Sequence, residues 1–167
     1  MPTTGRRDFE EYARARQHQL YRTAYLLCGD ADRAQDLAQT TLAKLFRHWK
    51  RASRAENLDA YAKTVLSRTF LSEQRGRRRE HAAHELGSRA PESGQHPDLR
   101  LTLLAALDML PPKPRVMVIL RYWEDLSVES VATLLRCSTG NVKSQCARSM
   151  AKLRAELGDL HLYSTES

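Results

Sequence analysis

The side chains best suited to a recognisable chemistry lie together in CSTGNVKSQCARSMAKLR, Cys137–Arg154. Lys143, Arg148, Lys152 and Arg154 are cations, and no acid stands between Ser130 and Ala155. Cations neutralise phosphates, while Asn, Gln, Ser and Arg offer the donors and acceptors that match base edges in a major groove. With Val142 set at zero on a helical wheel, Cys146, Met150, Leu153 and Leu157 fall within about 80° of it. Those five predict a buried stripe, with Asn141, Ser144, Arg148, Ala151 and Lys152 on the opposite face. Ser138 and Thr139 stand where a side-chain oxygen caps free amide groups. A helix N-terminus also offers N–H groups to a phosphate. A short apolar segment, Val128–Leu135, precedes the basic one across a tight turn. Two helices joined so closely, the second basic and polar outward, predict a helix-turn-helix that binds duplex DNA. Arg136 occupies the turn where a glycine commonly supplies a left-handed backbone, at a cost on the order of 1 kcal/mol.

Other chemistry-bearing residues carry less. His81 and His84 have no cysteine nearby and predict no zinc site. A recombinase-like enzyme needs a Ser or Tyr nucleophile with clustered Arg, or paired carboxylates on a metal. Tyr61 or Ser67 near Arg68 is the best set available, so neither an enzyme nor a cofactor is expected. Phe46 and Trp49 could wedge strands apart, but their spacing with Leu42 and Leu45 predicts core packing. Cys28, Cys137 and Cys146 form no CxxC; they fit a reducing cytoplasm and buried, inert thiols.

The elements that must hold these residues are helices. Helix formers dominate, glycine is scarce, and the fold class expected is all-α. The net charge is +7, all of it within the first 80 residues, which favours a nucleic acid or another anionic surface as partner. No apolar run approaches membrane-spanning length, and MPTTGRRDFEEYARARQ lacks an apolar signal core. No membrane insertion is expected. HAAHELGSRAPESGQHPD is rich in Gly, Pro, Ser and His and reads as a flexible linker. The layout predicted is therefore a helical domain over 1–80, a linker over 81–97, a helix-turn-helix domain over 98–160 and a tail over 161–167. Three helices are expected before the linker: Phe9–Cys28, Ala31 to about Arg51, and Leu58 to about Arg79. Four are expected after it: Leu99–Leu110, Arg115–Glu124, Val128–Leu135, and the basic helix to about Leu157.

LDMLPPKPRVMVILRYWEDLSVESVATLLRCSTGNVKSQCARSMAKLRAEL (Leu107–Leu157) resembles region 4 of bacterial RNA polymerase sigma factors, the part that binds the −35 promoter element. ADRAQDLAQTTLAKLFRHWKRA (Ala31–Ala52) resembles their region 2.2, and NLDAYAKTVLSRTFLSEQRGRRR (Asn57–Arg79) their regions 2.3–2.4. Two domains and a short linker are the layout of the extracytoplasmic-function (ECF) group. The chain is similar to that group's actinobacterial sigma-E-like members. The resemblance implies a non-enzymatic subunit that binds core polymerase and the −10 and −35 elements. By position it implies Asp36, Gln39, Leu42 and Leu45 for docking on the β′ clamp helices. It implies Arg54, Asn57 and Tyr61, with Lys63, Arg68 and Arg75, for the −10 element. Ser138, Thr139, Asn141, Lys143, Ser144, Gln145 and Arg148 are implied for the −35 element. The β flap is the second core contact implied. Tyr122 and Trp123 would lie in the core or face polymerase. The chain has Thr40, Arg68, Ser72 and Gln145 where family members often carry Glu, Asn, Asp and Arg. An anti-sigma factor is a further implied partner, its targets being the second helix and the scaffold helix Arg115–Glu124. The residues alone leave a conventional helix-turn-helix repressor or activator open, although the first half shows neither a dimer seam nor a ligand motif.

Overall fold

A computed structural model describes residues 2–84 and 99–158, with side chains for 5–80 and 102–158. The expected linker from residue 85 and the expected tail lie outside the described residues, as do the side chains of His81 and His84. The elements are α1 (Pro2–Cys28), α2 (Ala31–Arg47), α3 (Trp49–Ala52), α4 (Leu58–His84), α5 (Leu99–Asp108), α6 (Pro112–Tyr122), α7 (Val128–Leu135) and α8 (Thr139–Leu157). The fold is all-α, and the chain divides into two compact units between Ser72 and Glu73.

In the first unit α1 and α2 form a hairpin. Gly29 ends α1 with φ +72°, a left-handed position that favours glycine. Its N–H donates to the Tyr25 carbonyl at 2.8 Å. Asp30 then caps α2, accepting from the Arg33 N–H at 2.8 Å. Leu20, Ala24 and Leu27 of α1 meet Ala34, Leu37, Ala38 and Leu45 of α2, and Leu66 and Phe70 of α4 complete the buried set. The α4 helix is tied to α2 by Lys44 Nζ, which donates to Thr69 Oγ1 at 3.0 Å, and to α1 by the Arg16–Asp59 ion pair at 3.2 Å.

Two expectations change here. The second helix does not run unbroken to Arg51. It stops at His48 (φ −110°, ψ 27°), and the single turn α3 follows. The break re-aims the chain so that Trp49 reaches the rings of Phe9 and Tyr12 on α1, at 5.3 and 5.7 Å. Phe46 does not join the core with Leu45. One residue further turns it about 100° away, and it is left 50% exposed, with only the Phe9 ring 5.0 Å off. In addition, α4 continues to His84, so the backbone over 81–84 is helical where the composition suggested the start of a linker.

The second unit is built around α6, buried without interruption from Arg115 to Leu120. The prolines that were expected to stop α5 also begin α6: Pro112 stands at its first position, where a missing N–H costs nothing. Arg115 is only 5% exposed. Its Nη2 donates to the carbonyls of Leu110 at 2.9 Å and Asp108 at 3.2 Å, and Nη1 lies 3.8 Å from the Asp108 carboxylate. It therefore satisfies the carbonyls left open where α5 ends. The α8 helix packs on α5, α6 and α7.

Arg115→Met fills the same space but leaves those carbonyls without their donor. It should cost about 2–4 kcal/mol in chemical denaturation. Ser67 is the contrasting case, wholly buried with its hydroxyl unbonded. Ser67→Ala should cost nothing and stabilise by up to about 1 kcal/mol in the same assay.

Candidate nucleic-acid interface

Local bonds fix the approach to α8. Ser127 caps α7, accepting from the Ser130 N–H at 3.0 Å. Arg121 Nη1 donates to the Leu126 carbonyl at 2.8 Å, holding the connection from α6 to α7. The turn after α7 places Arg136 in the left-handed region (φ 58°, ψ 50°), the conformation its position demanded despite its side chain. The next amide, Cys137 N–H, reaches back to the Ala132 carbonyl at 3.0 Å. Ser138 then caps α8, accepting from the Asn141 N–H at 3.0 Å.

The buried stripe of α8 is Val142, Cys146, Ser149, Leu153 and Leu157. Met150 was expected in it, but the stripe's axis runs nearer Ser149, and Met150 is only half-buried at its edge. Burial pushes the Cys146 thiol above its usual range, with Arg121 opposing in part, which suits an inert core sulfur.

Of the predicted −35 readers, Thr139, Lys143, Ser144 and Arg148 are exposed, and Asn141 and Gln145 are half-exposed. Ser138 is exposed, with its hydroxyl engaged in the cap. The exposed face has small residues along its middle: Gly140, Ser144, Ala147 and Ala151. Asn141, Gln145, Arg148 and Lys152 line one flank. Lys143 is on the other, about 140° from Arg148. The helix thus brings Asn141, Ser144, Gln145 and Arg148 together and sets Lys143 apart on the other flank. A narrow middle allows close approach of a helix axis to a groove, and flanking side chains of these types suit both base edges and phosphates.

In the first unit, Arg54 and Asn57 are exposed in the turn between α3 and α4. The Asn57 side chain caps α4, with Oδ1 accepting from the Ala60 N–H at 3.0 Å. Tyr61, Arg68 and Arg75 fall within about 40° of one another on α4, opposite its buried face. Arg79, which was not among the residues expected at the −10 element, continues the stripe and is exposed. Lys63 lies about 140° from Arg68, half-buried beside the core face, and is set apart from this stripe.

The predicted core-docking set also splits. Asp36 and Gln39 are exposed on α2, but Leu42 and Leu45 are 7% and 0% exposed, turned into the hairpin. Leu periodicity marked the core stripe of α2, not its docking face. The hydrophobe on the outer side is Phe46, near the Asp36–Gln39 strip; its exposure was legible only as a departure of about 100° from Leu45. The expected anti-sigma target Arg115–Glu124 is likewise closed over Arg115–Leu120 by burial. Among the described residues, Met109 and Tyr122, 63% and 47% exposed, are the large apolar side chains this unit presents. Tyr122 is therefore not a core residue, and Arg121 sits 5.6 Å over its ring. Ser67, one of the sequence's few possible nucleophiles, is 0% exposed and out of reach of a DNA strand.

The half-buried phenol of Tyr12 titrates at about 12, raised from 10.0 first by burial and then by the Asp59 charge, with Arg16 opposing. A raised value means that the neutral phenol supports folding fully below about pH 10 and loses that support as pH climbs toward 12. Ultraviolet titration should show one late-ionising tyrosine, and Asp59→Asn should move that transition down toward 10.

Comparison with known proteins places both units in one family. Residues 12–80 match Sigma-70 region 2, and residues 100–153 match Sigma-70, region 4. The RNA polymerase sigma-E factor of Streptomyces coelicolor is 40% identical over 153 residues, spanning 90% of this chain and 86% of that protein. The ECF RNA polymerase sigma factor EcfG of Rhodopseudomonas palustris is 37% identical over 139 residues, spanning 80% and 76%. Among solved structures, the sigma factor RpoE of Bartonella quintana, crystallised with the anti-sigma factor NepR, superposes with a TM-score of 0.74 at 30% identity, covering 90% of this chain and 96% of that one. With two sigma regions in order and relatives aligned over most of its length, the chain belongs to the sigma-70 family of RNA polymerase sigma factors, in its extracytoplasmic-function group.

Proposed function

We propose that the two units grip one promoter at two points while bound to core polymerase. The observation that carries this is the division of each functional helix into a core face and a polar, DNA-suited face, on α4 and on α8. The domain over 98–160 reads the −35 duplex through Asn141, Ser144, Gln145 and Arg148, with Ser138 and Thr139 at the helix start and Lys143 on a phosphate. The domain over 1–80 takes the −10 element. Arg54, Asn57 and Tyr61 meet an unstacked base, and Arg68, Arg75 and Arg79 follow the backbone. Extruding a base costs a few kcal/mol, which stacking and edge contacts offset. Docking on the β′ clamp helices falls to Asp36, Gln39 and Phe46, and the second unit meets the β flap.

The factor works in the cytoplasm without covalent chemistry or a cofactor, and an anti-sigma factor holds it inactive by covering the exposed apolar residues Phe46, Met109 and Tyr122. Among the described residues no helix is long and apolar enough to cross a membrane. Departures at Arg68 and Gln145 point to a promoter sequence of its own, and Thr40 bears on the strength of core binding.

Sequencing transcript starts after overproducing the wild type and Arg148→Ala tests the reading. A shared upstream element is expected, and the variant should lose it at about 1–3 kcal/mol per base contact. Lys143→Ala should weaken all duplexes alike and lower the salt slope by about one. Transcript starts indifferent to Arg148 would overturn the −35 assignment. In a core-binding titration, Phe46→Ala should weaken the complex, with a stability cost of only about 0.5–1.5 kcal/mol from the lost Phe9 contact. Leu42→Ala should act through stability, costing about 2–5 kcal/mol.

A further inference from the structure

The turn between α3 and α4 is short, exposed at Arg54, Glu56 and Asn57, and therefore depends on its ends for its shape. The α3 end is anchored by backbone bonds, Ser53 N–H to the Trp49 carbonyl at 2.8 Å and Ala55 N–H to Ala52 at 3.1 Å, and by Ala52, which is wholly buried. The α4 end is anchored by the Asn57 cap. Neither set sets the distance between α3 and α4.

Two contacts from α1 reach the two ends of the turn. Tyr12 lies against the Trp49 ring, centroids 5.7 Å apart. Arg16, one turn further along the same face, pairs with Asp59 in the first turn of α4 at 3.2 Å. One turn of helix rises roughly 6 Å over four residues, so α1 holds the two ends of the exposed turn at a fixed spacing. Asp59 already sits favourably near a helix N-terminus. Neutralising it is therefore not the only thing Arg16 does: its fork-shaped guanidinium fixes a direction. We infer that Tyr12 and Arg16 of α1 form a brace that holds the α3–α4 turn, with Arg54 and Asn57, in the geometry that receives the −10 base.

Tyr12 and Arg16 touch no DNA in this arrangement; they are positioning residues, acting through Trp49 and Asp59. The inference rests on the proposed −10 role of the turn. Both partners of the ion pair are partly exposed, 44% and 42%, so its effect is modest and salt-sensitive.

The test uses the full chain bound to core polymerase and a forked promoter probe unpaired across the −10 element. Binding is compared between the preferred −10 base and a substituted one. Arg16→Gln and Asp59→Asn should each reduce that preference about two- to fivefold, leaving core affinity and preference for the −35 sequence unchanged. The exchange Arg16→Asp with Asp59→Arg should recover part of the preference, which a merely destabilised unit would not do. Arg54→Ala is the reference. If it lowers preference while Arg16→Gln does not, or if the exchange recovers nothing, the brace is wrong and the −10 assignment stands. If Arg54→Ala leaves the preference intact, the turn is not the −10 reader and both fall together.

Discussion

At the end of α5 the carbonyls of Asp108 and Leu110 turn inward, and the guanidinium of Arg115 meets them. That contact decides how the second unit is assembled. It joins the last turn of one helix to the first turns of the next across two prolines, and it lets α6 be buried on all sides from Arg115 to Leu120. Because α6 is the axis, α8 has a surface to pack on. Because α8 is packed along one stripe, its other face is presented in a fixed orientation. A charge held so deep is tolerable only because hydrogen bonds surround it. The same group that costs solvation also fixes the direction of the turn.

The first unit reaches a comparable end by different means. Its hairpin is apolar, and its polar ties, Lys44 to Thr69 and Arg16 to Asp59, lie near the edge of the packing. Surface ties of that sort contribute little to stability. Their value lies in direction. The short α3 turn behaves likewise: His48 interrupts α2 so that Trp49 can pack on α1, and the exposed turn that follows inherits its starting position from that ring.

Much of this was legible in the sequence. The seven long or amphipathic helices follow from apolar spacing, the cap at Ser138 from residue type, and the polar face of α8 from the wheel. Arg136 shows a rule holding against its usual residue: the turn required a left-handed backbone, and the chain adopts it with an arginine. What was not legible has two sources. Periodicity identifies which side of a helix is apolar, and the docking role that the resemblance implied for Leu42 and Leu45 falls on that buried side; the rest depends on contacts between distant segments. Leu42 and Leu45 mark the core, whereas Phe46, one step off the stripe, is outside. Lys63 and Arg68 share a helix but not a face. The break at His48 depends on a ring packed from α1, a contact no local window contains. Arg115 in the sequence reads as one more surface cation, and only the open carbonyls of a neighbouring helix explain its burial.

The geometry of α8 bears on how such a factor diverges after duplication. Asn141, Ser144, Gln145 and Arg148 contribute nothing to the stripe of Val142, Cys146, Ser149, Leu153 and Leu157. On the proposed −35 assignment, substitutions at the former would rewrite which genes respond at little cost in folding free energy, whereas changes along the stripe are constrained by packing whatever the target sequence. A copy of this chain would then acquire a new regulon in single steps, each leaving a folded protein, with the helix as a fixed mount for an exchangeable set of readers.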